Sequence, residues 1–156
     1  MKKTFYLFTF LLFYLLLAAC DNTIYNQFAS TADGIWEKNE EAILTTSPMR
    51  YDATVDEELL LRLEKGAYPF SDICVIVEQT IYPSDATSID TVVFDLTGGK
   101  GRMSDSGISL VEHNLPFKRF ALHKGDSIVT VIRHNMTEKS LLGIRDIGIR
   151  MEEIKN

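Results

Sequence analysis

Apolar side chains recur at every second position through much of this chain. Val92, Phe94 and Leu96 share one side, with Thr91, Val93 and Asp95 on the other. From Ser127 to His134 the two sets are Ile128, Thr130, Ile132 and Val129, Val131, Arg133. Near the end Ile147, Ile149 and Met151 alternate with Gly148, Arg150 and Glu152. Successive side chains of an extended backbone leave on opposite faces, so a period of two marks strands with one face in a core. Turn residues separate the runs: Gly66, Pro83-Ser84-Asp85, the cluster Gly98 to Gly101, Lys124-Gly125-Asp126 and Gly143. Glycine reaches positive φ freely and proline cannot continue a central strand, so each cluster is a strand boundary. Short strands at such spacing predict an all-β fold, an antiparallel β-sandwich of jelly-roll-like type.

One segment is ambiguous. Glu57 to Lys65 consists of strong helix formers with Gly66 just after, a helix stop. The same letters also alternate, Leu59, Leu61 and Leu63 against Leu60, Arg62 and Glu64. The all-β surroundings favour a strand, since tertiary context overrides propensity, and helix stays open as the alternative.

The N-terminus is unlike the rest. Of the first 19 residues 15 are apolar, none is acidic, and two are the lysines Lys2 and Lys3. The apolar run Phe5 to Leu17 is shorter than the ~20 residues a membrane-crossing helix needs, and fits the apolar region of a secretory signal. The string Leu17-Ala18-Ala19-Cys20 resembles the bacterial lipoprotein box. There, small side chains admit the signal peptidase and the thiol is the nucleophile that takes up lipid. The alternative is an ordinary signal peptide that happens to end in a cysteine, or an uncleaved anchor. The box implies a cleaved signal helix over 1–19, with diacylglycerol on the Cys20 sulfur and an N-acyl chain such as palmitate on the new amine. The expected organisation continues with the lipidated Cys20 and a tether or first strand over 20–34, where Ile24 to Phe28 could pair with a sheet edge. A single β-sandwich domain over 35–156 follows.

Beyond residue 19 the chain has 14 basic against 22 acidic residues, a net charge of −8. A nucleic-acid binder needs a basic face to release phosphate counterions, so nucleic acid is excluded as an expected partner. Cys20 and Cys74 cannot build a disulfide framework. Cys74, within the β-branched run Ile73 to Val77, reads as a small buried hydrophobe rather than a reactive thiol.

Motifs of chemistry are missing. Gly98-Gly99-Lys100-Gly101-Arg102 lacks the spacing of a phosphate loop and opens no helix. His113, His123 and His134 stand in no zinc-ligand spacing, and Ser106 has no nucleophile-elbow context. Carboxylates are plentiful: Glu37, Glu40, Glu41, Asp56, Glu57, Glu58, Asp85, Asp90, Asp95, Glu152 and Glu153. A facing pair could hydrolyse glycosides, but solvated strand faces and turns explain them more simply. No catalytic, cofactor-binding or metal residue is expected, and lipidation at Cys20 is the one site. Among the aromatics, Trp36, Tyr51, Tyr68 and Tyr82 could stack on sugars if exposed.

Several segments together resemble the gliding-motility lipoprotein GldH family. They are the lipoprotein signal, an isolated Trp36, Arg62 ahead of Ala67-Tyr68-Pro69-Phe70-Ser71-Asp72-Ile73, and Asp90 to Leu96. The glycine loop Gly98 to Gly107 and the tail Arg133 to Met136 and Leu141 to Arg150 complete the likeness, the tail being its most specific part. That loop often carries a Trp in the family, where this chain has Lys100, Arg102 and Met103. The resemblance implies a non-enzymatic, lipid-anchored protein of the cell envelope, in the outer membrane. Its partners would be membrane lipid, through Cys20, and other envelope or motility proteins of gliding and its linked secretion machinery. The alternative is a surface glycan-binding lipoprotein. Tyr68, Pro69 and Phe70 are expected to lead into a strand, with Gly143 and Gly148 as turn or close-packing positions.

Overall fold

A computed structural model describes residues 22–97 and 109–155, and the backbone of 102–104. The signal segment, Cys20 and most of the glycine loop lie outside the described residues, so the expectations placed on them are not addressed by the fold. Eleven strands are described: β1 (Thr23–Ser30), β2 (Ile35–Glu37), β3 (Ala42–Thr45), β4 (Ala53–Glu64), β5 (Asp72–Tyr82) and β6 (Ala86–Asp95). They continue as β7 (Arg102–Ser104), β8 (Leu110–Leu122), β9 (Ser127–His134), β10 (Ser140–Leu142) and β11 (Ile144–Glu153). The five-stranded sheet has the order β1-β11-β4-β8-β7 and the four-stranded sheet the order β3-β9-β5-β6, all antiparallel. A short pair, β10 with β2, closes one end. The fold is the expected all-β sandwich.

Segment 57–65 is a strand over most of its length: Leu59, Leu61 and Leu63 are buried between the sheets, as the alternation predicts. With Ile147, Ile149 and Met151 from β11 they meet Ile73, Val75, Val77, Ile128 and Ile132 of the opposite sheet. Phe94 is also core. At roughly 25 cal/mol per Å² of apolar surface removed from water, this continuous cluster is what holds the two layers together.

The two distinctive segments of the chain are structural and touch each other. Gly143 has φ +82°, and a Cβ there would stand 2.6 Å from the Tyr68 backbone nitrogen. Its N–H donates to the Gly34 carbonyl and its carbonyl accepts from Glu64, both at 2.8 Å. The Tyr68 hydroxyl donates to the Asp72 carbonyl, and its ring meets Phe70 edge-on at 5.5 Å, so the Tyr-Pro-Phe step leads into β5 as expected. A Cβ on Gly148 would lie 2.6 Å from the Gln27 carbonyl oxygen and from Phe28 Cδ1, which makes it the close-packing position expected.

Candidate interaction surface

Among the described residues, the carboxylates with catalytic possibilities are taken up in separate ion pairs, hydrogen bonds and turns. Asp56 accepts two hydrogen bonds from Arg119, 2.6 and 2.7 Å, and that guanidinium holds its carboxyl below the usual range. Glu58 and Glu152 pair with Arg150, Glu41 with Arg133, and Asp90 with Lys118. Glu37 accepts from Ser140 and Glu153 from Tyr51, while Glu40 caps the Glu37 amide. Asp95 is held by the Thr97 amide and hydroxyl, and Asp85 occupies a turn at φ +55°.

Glu57 is the exception. It is buried on the inner face of β4, where Gln79 Nε2 of β5 donates to its Oε1 at 2.7 Å and also to Thr130 Oγ1 of β9 at 3.1 Å. Its second oxygen has no partner. Desolvation outweighs the Gln79 bond and pushes the carboxyl up to about 7. Sequence reasoning grouped Glu57 with the solvated carboxylates. A signal was there: Glu57 shares the inward phase of Leu59, Leu61 and Leu63.

Lys118 of β8 lies nearby and spans the sheets, bonding Ser88 Oγ at 3.0 Å and Asp90 at 3.2 Å on the inner side of β6. These polar links sit beside an apolar pocket of about 200 Å³ lined by Ile81, Phe120 and Ile128 among others.

The histidines are dispersed. His113 is buried opposite Leu61, His134 is buried against Trp36 with ring centroids 5.3 Å apart, and His123 is exposed beside Asp52. Among the described residues no group of three His, Cys, Asp or Glu could hold a metal ion. Cys74 is half-buried rather than buried, because it lies on the outer side of β5; its backbone N–H donates to Met136 Sδ. Trp36 is 0% exposed and donates from Nε1 to the Glu40 carbonyl. It is therefore unavailable for stacking on a sugar, and Tyr68 is half-buried; of the four aromatics considered, Tyr51 and Tyr82 reach solvent.

The outer faces of the two sheets differ sharply. On the five-stranded sheet, Arg119, Arg150 and Arg62 alternate with Asp56, Glu58, Glu112 and Asp146 in cross-strand ion pairs. Arg62 also lies 3.7 Å above the Phe28 ring, and Phe28 crosses Gly148. Within this strip Leu60, flanked by Gly148 and Asn114, is almost fully buried although it points away from the core. The alternation places Leu60 with Arg62, away from Leu59, Leu61 and Leu63, and on that side Arg62 lies over Phe28, which crosses the neighbouring Gly148.

On the four-stranded sheet the register brings outward side chains into rows. One row is Ile43, Val131, Glu78 and Ile89; the next is Thr45, Val129, Thr80 and Thr87. Arg133, Ile76 and Thr91 form a third, and Cys74 with Val93 a fourth. Ile43, Ile89 and Val93 are 57%, 62% and 63% exposed. Among the described residues no element of the chain covers this face. Exposed apolar side chains gathered on one sheet face, here with Glu78 and Arg133 among them, make it the candidate interaction surface.

The model of the GldH lipoprotein family matches residues 23–151, which takes in all of the sandwich up to the last residues of β11. Among curated proteins no match is found.

Proposed function

The chain belongs to the GldH lipoprotein family, and on that premise we propose that it is a membrane-anchored envelope protein whose task is docking rather than catalysis. The observation that carries this reading is the uncovered face of the four-stranded sheet, with Ile43, Ile89 and Val93 in solvent. Cys20 provides the anchor through diacylglycerol and an N-acyl chain. Two or three long acyl chains hold almost permanently, because each buried CH₂ adds ~0.8 kcal/mol. β1 starts at Thr23, so at most ~10 Å of extended backbone separates the anchor from the sandwich. Confinement beside a bilayer raises the effective concentration of the exposed sheet face for partners in the same membrane. The partners are other envelope proteins of gliding and its linked secretion machinery, and the membrane is the outer membrane.

Two measurements test this. Metabolic labelling with palmitate should mark the native protein and fail in Cys20→Ala; label retained by the variant would remove the anchor. A photocrosslinking residue at Ile43 or Val131 should give adducts of defined mass in the native envelope, and one at Glu152 on the opposite sheet should not. Unmodified monomer from all three positions would end the docking reading.

A further inference from the structure

The four-stranded sheet ends in β6, and the direction of its backbone can be read from one bond. The Leu96 N–H donates to the Ser71 carbonyl of the chain preceding β5 at 2.8 Å. N–H and C=O groups of alternate residues in a strand point the same way. The β5 ladder has no register shift along β6, so the groups of Ser88, Asp90, Val92 and Phe94 also face β5. Those of Thr87, Ile89, Thr91 and Val93 face outward, and no described backbone group pairs with them.

Uncovered edges are usually short, bulged or guarded by lysine. β6 is ten residues long, straight in register and has no basic residue. The other edges offer less: β3 has four residues, β7 three, and β1 lies against β3. Lys118 reaches β6 from its inner side through Ser88 and Asp90, so it does not guard the outer edge.

Charge selects the occupant. From Gly66 to Gly99 there is no Lys or Arg, and there are five carboxylates: Asp72, Glu78, Asp85, Asp90 and Asp95. Lys118 neutralises Asp90, while no described cation pairs with the other four. We propose that the outer edge of β6 accepts an added strand, an extended basic segment of a partner protein. Its backbone pairs with Thr87, Ile89, Thr91 and Val93, and its β-branched side chains continue the rows of Ile89 and Val93. This deepens the docking reading and rests on it. A second copy of β6 is the poorer fit, because two such edges bring only carboxylates together. Main-chain bonds supply affinity in strand addition and the flanking side chains supply selection.

The test uses the whole chain, taken from membranes in detergent, and the labelled peptide Lys-Val-Thr-Val-Lys-Val-Thr-Val-Lys followed by fluorescence anisotropy. Saturable binding is expected, weakening about tenfold or more between 50 and 500 mM salt as the Debye length shortens. Thr91→Pro removes one outward N–H and leaves the β5 ladder intact, so it should weaken binding at least about tenfold without moving the unfolding midpoint. Should that variant not fold, a peptide N-methylated at alternate amides decides instead, and it should not bind. Peptide binding that neither change reduces, no binding at all, or a dimer built through β6 overturns the proposal. If Val131 still crosslinks its partner in Thr91→Pro cells, docking stands and strand addition falls; if wild type never crosslinks, docking itself falls.

Discussion

Arg62, Arg119 and Arg150 each reach a carboxylate across the outside of the five-stranded sheet, whereas the matching surface of the four-stranded sheet carries isoleucine, valine and threonine around an unpaired Glu78. Both sheets contribute their inner sides to the same core, so stability alone does not explain the contrast. An exposed ion pair contributes only ~0–1 kcal/mol, yet a lattice of them keeps a sheet face hydrated and uninviting to other proteins. The β-branched face has one such pair, Arg133 with Glu41, and no lattice of them among the described residues. A chain that closes one face and leaves the other open presents itself to neighbours from one direction.

The largest effect should come from Gly148, where the closed face is most tightly built. Gly148→Val places side-chain atoms into the Gln27 carbonyl and the Phe28 ring, and should cost more than ~3 kcal/mol in chemical unfolding. Thr91→Val on the open face should cost less than ~0.5 kcal/mol by the same measurement. Equal costs would erase the distinction.

Next is the core beneath both faces. Glu57 has a folded value of about 7 against an ordinary 4.5, so its burial penalty is absent at low pH and grows as pH rises through that window. Glu57→Gln should remove this slope and leave the protein more stable than wild type at pH 8 by up to ~3 kcal/mol. His113 and His134 work in the opposite sense: burial lowers both below 6.5, so stability is lost as pH falls beneath that value. In Glu57→Gln that histidine slope should stand alone. Unfolding free energies from pH 4.5 to 8 would show it, and an unchanged wild-type slope would mean Glu57 is solvated.

The smallest effect is a paired one. Arg62→Ala loses Glu112, Asp146 and the Phe28 ring together and should cost ~1–2 kcal/mol, a difference that shrinks at high salt as the wild-type ion pairs are screened. Ile89→Lys should leave stability within ~0.5 kcal/mol and abolish crosslinking from Val131. Loss of stability in the second variant would make the open face structural after all.

Much of this architecture was legible one strand at a time. Leu59, Leu61 and Leu63 declared an inward face even though their neighbours are helix formers, and Ile147, Ile149 and Met151 did the same. Leu60 was not legible, because its shelter comes from Phe28, 32 residues away in sequence, lying across a glycine of a third strand. Glu57 was half legible: its inward phase could be read from Leu59, Leu61 and Leu63, but the Gln79 partner that accommodates it lies on another sheet. The open face was hardest. Val129 and Val131 are as apolar as Ile128 and Ile132, so residue type could not say which set meets water.

Local sequence fixed what depends on neighbours along the chain: strand period, turn positions at Gly66, Gly125 and Gly143, and the acidic balance beyond residue 19. Tertiary structure decided what depends on partners far along it. Order β3-β9-β5-β6 makes β6 an edge, and the cross-sheet register sets Glu57 against Gln79 and leaves Ile43 beside Val131 in solvent. The physical reason is that alternation assigns a residue to one of two sides, while only pairing and packing determine which side another sheet covers.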